Sequence, residues 1–117
     1  GNDVAYGGSG NDDLYGEDGD DFLLGNAGDD WLAGGRGRDT FGFGIGDGRD
    51  TIRDFITGGS EADVIAFNSG VMTSFAAVQA ASSQEGGDVV IAVTQDSNIR
   101  LQDVALNSLS ESNFTFS

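Results

Sequence analysis

Between residues 1 and 42 the chain repeats itself every nine residues, and that period restricts the fold more than any other feature of the sequence. Aligned on glycine, the units are GGSGNDDLY (7–15), GEDGDDFLL (16–24), GNAGDDWLA (25–33) and GGRGRDTFG (34–42), preceded by the partial unit GNDVAY (1–6). Positions one and four are Gly in every full unit, and position six is always Asp: Asp3, Asp12, Asp21, Asp30 and Asp39. Position eight is apolar, as Ala5, Leu14, Leu23, Leu32 and Phe41. Positions seven to nine can form only a short strand, whose side chains alternate so that position eight faces one side and its neighbours the other. Glycines at one and four let the backbone enter positive φ and let adjacent turns approach closely. The pattern predicts a parallel β-roll whose single coil takes two units, or 18 residues.

A coil of this kind has only two inward apolar side chains, so its core is thin. Stacking sets each six-residue loop against the loop two units on, bringing main-chain carbonyls together with a pair of aspartates. Those carboxylates repel each other unless a cation lies between them, and oxygen donors suit Ca²⁺, which takes six to eight at about 2.3–2.6 Å. The ion then substitutes for the missing core. Composition removes the metals that prefer nitrogen or sulfur, since there is no His and no Cys, hence no imidazole or thiolate site and no disulfide; magnesium stays open but wants a tighter octahedron. Twenty acidic residues against five basic ones, all Arg, give a net charge of −15, which disfavours nucleic acid and anionic lipid as partners. A disordered acidic linker would share this composition, but not the regular apolar residue at position eight. No stretch reaches the roughly 20 apolar residues of a transmembrane segment. The opening GNDVAYGGSG has no signal-peptide features, which places any export signal elsewhere, and a start inside a repeat reads as a fragment of a longer chain.

The pattern GGxGxDxUx resembles that of the RTX (repeat-in-toxin, haemolysin-type) calcium-binding family. The resemblance implies ions between units n and n+2, held by carbonyls at alternate loop positions and by the position-six Asp. Carried onto this sequence, one site uses Gly8, Gly10 and Asp12 with Gly25, Ala27 and Asp30. A second uses Glu17, Gly19 and Asp21 with Gly34, Arg36 and Asp39. A third pairs Asp3 with Asp21 across an incomplete loop.

After Gly42 the count of nine fails, and a different structure is expected over 43–117. Asp50–Ile56 and Asp63–Phe67 read as β-branched runs around a Gly-Gly-Ser turn. Thr73–Ser83 reads as a short helix with Ser74 as N-cap, ended by Gly86-Gly87. Asp88–Thr94 and Asn98–Val104 alternate around Gln95-Asp96-Ser97 as a hairpin, and the tail closes on a strand carrying Phe114 and Phe116. The order DTIRDF, DVIAF, SFAAVQAAS and NFTF is similar to the C-terminal cap of serralysin-type metalloproteases and other RTX proteins exported by type I secretion. That likeness implies a further calcium shared by Asp54 and Asp63, with Asp47, Asp50 and Glu61 as secondary candidates. The expected fold class is therefore all-β: a parallel roll over 1–42, then a mainly antiparallel cap with one short helix, holding a type I secretion signal.

The resemblance implies a calcium-binding module that drives folding and secretion of a larger extracellular protein, with two complete calcium sites and up to two more. Its partners would be an upstream catalytic domain and the type I machinery. The alternative is an accessory polysaccharide-binding module, with contact through calcium or through Arg36, Arg38, Arg49 and Arg53, which otherwise relieve the surrounding negative charge. No catalytic constellation is visible in a chain without His, Cys or Lys. Side-chain alternation also gathers Val4, Tyr6, Phe22 and Leu24 on one outer face, which is expected to be covered by the upstream domain or by a second copy.

Overall fold

The structure is a computed structural model that describes residues 4–44, 48–68, 72–94 and 97–116. Asp3, Asp47 and the Gln95-Asp96 part of the expected hairpin turn lie outside the described residues. Each repeat delivers its three-residue strand: β1 (Val4–Tyr6), β2 (Asp13–Tyr15), β3 (Phe22–Leu24) and β4 (Trp31–Ala33), followed by β5 (Thr40–Phe43). Strands two units apart pair in parallel, Val4 with Phe22 and Phe22 with Thr40 in one sheet, Asp13 with Trp31 in the other.

Parallel stacking does not stop at Gly42. Strand β6 (Arg49–Ile52) pairs with β4, and β7 (Val64–Phe67) pairs with β5, both in parallel. The runs on either side of the Gly-Gly-Ser turn thus enter different sheets. The nonapeptide count is lost while the strand-forming end of the unit survives: Gly48-Arg49-Asp50-Thr51-Ile52 copies Gly37-Arg38-Asp39-Thr40-Phe41 after a longer loop. Downstream, β11 (Phe114–Phe116) completes the first sheet on β7, in the order β1-β3-β5-β7-β11. The second sheet runs β2-β4-β6-β10-β9-β8, with β10 (Asn98–Leu101) parallel to β6, and β9 (Asp88–Ala92) and β8 (Ser82–Glu85) antiparallel. Among the described residues antiparallel pairing is confined to β8, β9 and β10, a smaller share of the cap than the sequence led one to expect.

The one α-helix among the described residues, α1 (Phe75–Ala81), starts where expected: Ser74 Oγ accepts from the Ala77 N–H at 3.1 Å and caps it. It ends at Ser82 rather than at the glycine pair, because the chain passes directly into β8, and Gly86-Gly87 make the β8–β9 turn. Gly86 takes φ 62° there, a conformation that suits glycine.

Inward residues form two columns: Ala5, Leu23, Phe41, Ile65 and Phe114 in one sheet, and Leu14, Leu32, Ile52 and Leu101 in the other. Ala5 and Leu14 are half-buried, whereas every later member is buried. The cap adds Val78, Val89, Ile91, Ile99 and Val104 to one continuous cluster, with Phe67 stacked on Phe114 and Phe116 at 6.2 and 6.0 Å. Each buried residue of this size contributes about 1.5–3 kcal/mol. On the outer face of the first sheet, Val4 and Tyr6 are 58% and 67% exposed, while Phe22 and Leu24 are half-buried where they lean over the bare backbone of Gly42.

Candidate metal centre

The roll loops have one recurring geometry. Position two holds a positive φ in each unit, at Gly8 (80°), Glu17 (69°), Asn26 (63°) and Gly35 (82°), and so does position four, at Gly10, Gly19, Gly28 and Gly37. The position-one glycines do not take positive φ, but they do let adjacent turns approach, and they have a further role. A Cβ on Gly7 would stand 2.8 Å from Asp12 Oδ2 and one on Gly16 would stand 2.6 Å from Asp21 Oδ2, and Gly25 and Gly34 meet Asp30 and Asp39 in the same way. Position one must be bare because the position-six carboxylate of its own loop folds back over it.

Carboxylates link each loop to the next but one. Asp30 Oδ1 accepts from the Asp12 N–H at 2.8 Å, and Asp39 Oδ1 accepts from the Asp21 N–H at 2.9 Å. The ladder continues past the repeat, with Asp50 Oδ1 accepting from the Asp30 N–H and Asp63 Oδ1 from the Asp39 N–H, both at 2.9 Å. These links span 18, 18, 20 and 24 residues, so the last two coils are longer than the nonapeptide allows. A parallel ladder joins position five, where Asn11, Asp20 and Asp29 accept from the N–H groups of Asp29, Arg38 and Arg49.

One oxygen of Asp30 and one of Asp39 are thus committed. Oδ2 of each, and Oδ2 of Asp12, is buried without a hydrogen-bond partner. A buried anionic oxygen lacking a donor costs several kcal/mol, which a cation would remove. The surrounding atoms are oxygens: the carbonyls of Gly10, Glu17 and Gly19 press against Gly28, Gly35 and Gly37, and those of Gly25 and Gly34 approach Gly7 and Gly16 at 2.7 Å from the position a Cβ would take. An all-oxygen donor set fits calcium. Among the described residues no three His, Cys, Asp or Glu side chains converge as a metal-binding group; each gap pairs two carboxylates with main-chain oxygen instead. Gly8, Ala27 and Arg36 lie exposed on the same loops.

Burial and crowding shift these acids. Asp39 is pushed up to about 7, chiefly by burial and then by the charges of Asp63, Asp21 and Asp54, against the lowering effect of the Asp21 N–H. Asp63 is raised to about 6 by burial, with Asp54 and Glu61 adding to the effect. Asp30 is raised by burial, then by Asp12 and Asp29. Groups that resist ionisation in the metal-free fold are those a divalent cation would stabilise as anions.

The family model of the RTX calcium-binding nonapeptide repeat, four copies long, matches residues 1–23, 6–41 and 15–52. Residues 1–52 belong to the RTX calcium-binding family. The match passes Gly42 and ends on Ile52, the last residue of β6, in agreement with the continued ladder. The RTX roll and its cap together superpose on the crystal structure of the extracellular lipase LipA from Serratia marcescens with a TM-score of 0.68 at 26% identity, over 97% of this chain and 21% of the lipase. They also match the solution structure of the AlgE6R3 subunit from the Azotobacter vinelandii mannuronan C5-epimerase, with a TM-score of 0.64 at 27% identity, over 99% of this chain and 79% of that one. The chain therefore spans about a fifth of the lipase's length. No curated protein matches it.

Beside the RTX roll, Asp54, Glu61 and Asp63 line up along loop 34–39. Asp54 accepts from the Gly34 and Gly35 N–H groups, Glu61 from that of Gly37, and Asp63 from those of Asp39 and Ile56. Asp54 and Asp63 are thus brought to one loop, each holding main-chain donors. Asp50 is the residue that counting by nines misses. The repeated Gly-Arg-Asp-Thr string is the signal that could have found it. The carboxylate ladder ends in the cap, where Ile99 pairs with Asp50 in register and the buried Asn113 donates its side-chain amide to Asp63 O at 3.0 Å and Thr57 O at 3.2 Å.

Proposed function

We propose that this chain is a calcium-dependent folding and secretion module of a larger extracellular protein exported by a type I route. The observation that carries the reading is the row of buried carboxylate oxygens without donors, facing carbonyls across each gap between loops. In a calcium-poor cytosol the roll's acidic loops repel one another; outside the cell, ions that bind only the wound form stabilise it by mass action. The gaps Asp12/Asp30 and Asp21/Asp39 hold the two complete sites, and Asp30/Asp50 adds a third built in the same way. An ion shared by Asp54 and Asp63 would be a fourth, while the Asp3 site falls outside the described residues. The module itself is non-catalytic, and the chemistry belongs to the upstream domain, which would cover the Val4–Tyr6–Phe22–Leu24 face unless a second copy does. The test is secretion of a reporter fused upstream of residues 1–117 in a host with a type I exporter. Export of folded reporter only when external calcium is present supports the reading; export that is independent of this segment rejects it.

A second reading, an accessory polysaccharide-binding module, is favoured by the second sheet's outer face. Arg53 lies over the Trp31 ring at 4.7 Å and the Tyr15 ring at 5.6 Å, donates to Tyr15 Oη at 2.7 Å and stands 3.6 Å from Asp13, making an exposed aromatic surface with an arginine paired to an aspartate. The AlgE6R3 subunit, part of a mannuronan C5-epimerase, has this fold over most of its length. Retention on immobilised uronate polysaccharide, lost in Trp31→Ala, would favour this reading.

A further inference from the structure

The cap holds a half-open cavity of about 530 Å³ between α1, β8 and the segment 105–109, far from the carboxylate ladder in sequence and built differently from it. Phe75, Val78, Leu106 and Leu109 make its apolar wall, and Gln79 and Asn107 bring carboxamides to it. In a chain of net charge −15, no ionisable residue among the described residues lines this space. The volume lies within the roughly 300–1,000 Å³ typical of small-molecule sites.

The polar lining divides into two kinds. Gln84 and Ser82 are bonded to the main chain of the walls. Gln84 Nε2 donates to the carbonyls of Gly86, Asp88 and Val104, its Oε1 accepts from the Leu106 N–H, and Ser82 Oγ donates to Val78 O. These bonds tie the segment bearing Leu106 and Leu109 to the edge strand β8 and fix the cavity's width. Gln79 and Asn107 are exposed at the rim, make no such bonds, and each amide can both donate and accept. Half-buried Phe75, Leu106 and Leu109 beside amides that offer no charge define what the cavity can hold.

We infer that this cavity is a binding site for a neutral amphiphile: an aromatic or aliphatic body of small-molecule size that carries a carbonyl or hydroxyl group for the Gln79 and Asn107 amides. Neutrality follows from the lining, which gives a charged head no partner, and from the acidic surface, which repels anions. The inference is independent of calcium binding in the roll, and the two can fail separately.

Nile red, an uncharged aromatic dye with a ring carbonyl, is the probe, titrated into the calcium-loaded full chain. Saturable one-to-one binding with blue-shifted emission is expected, and amide chemical-shift changes should centre on Phe75, Gln79, Leu106 and Asn107. Ala105→Trp fills the cavity from an exposed wall position and should weaken binding by about tenfold or more; Gln79→Ala should weaken it by less. Phe22→Ser, on the exposed roll face, should leave it unchanged. Should Ala105→Trp disturb the fold, as read by circular dichroism, Asn107→Leu replaces it. The inference is overturned if binding is not saturable, if the shifts centre on the roll face, or if Phe22→Ser removes binding while folded cavity variants retain it.

Discussion

The first coil of the roll and the last layer of the cap have the same strand geometry and opposite means of stability. At the open end, half-buried Ala5 and Leu14 give little apolar burial, and paired carboxylates lie between the loops. At the closed end, the register position that follows Asp50 is Ile99, the inward residues are Leu101 and Phe114, and a neutral amide from Asn113 takes the place of a further carboxylate. Strand pairing is therefore indifferent to what fills the space between coils. One end fills it with charge that requires a cation, and the other with hydrocarbon that requires nothing.

Chelation should break this symmetry most. With free calcium near 100 times its dissociation constant, each site adds about 2.7 kcal/mol, which is lost when the ion is removed. Amide hydrogen exchange in excess chelator should show the strands of residues 4–33 losing protection while β9, β10 and α1 keep theirs. Equal protection in both regions without calcium would refute the contrast.

Truncating inward residues should follow the burial gradient. Leu23→Ala empties a fully buried position and should cost about 2–5 kcal/mol in calcium-saturated denaturant unfolding. Leu14→Ala, half-buried in the next unit out, should cost less than about 1.5 kcal/mol. Equal costs would mean that the two ends pack alike.

A smaller effect comes from protons. The folded-state values of Asp39 and Asp63, about 7 and about 6, lie above the ordinary 3.8, so the metal-free fold holds protons that the unfolded chain has released. Metal-free stability should therefore fall as pH rises from about 4 to about 7. Calcium must displace those protons, so its apparent affinity should be about tenfold weaker at pH 6 than at pH 8, measured by calorimetry. An affinity flat across this range would contradict the burial of Asp39 and its crowding by Asp63, Asp21 and Asp54. The cap, where Asp88 is held below the usual carboxylate range by the Asp103 N–H and then by Arg100, should show no such loss on the alkaline side.

Much of this division was legible in the sequence. The nine-residue period fixed the short strands, the parallel pairing and the position-six aspartates, and alternation fixed the inward columns. Counting failed where loops lengthened: links of 20 and 24 residues hid Asp50 and Asp63 as continuations of the ladder, although both keep an apolar residue two places on, Ile52 and Ile65. The second role of the position-one glycines was also hidden, because it depends on a carboxylate folding back over them. Asn113 gave no signal, since its partners, Asp63 and Thr57, are 50 and 56 residues away.

The most direct test of the ion-for-core exchange is anomalous diffraction from crystals of the calcium-loaded chain. Calcium is expected in the three gaps Asp12/Asp30, Asp21/Asp39 and Asp30/Asp50, with the Oδ2 atoms of Asp12, Asp30 and Asp39 among the ligands. A fully wound roll with no calcium between its loops, or with a single ion elsewhere, would contradict it.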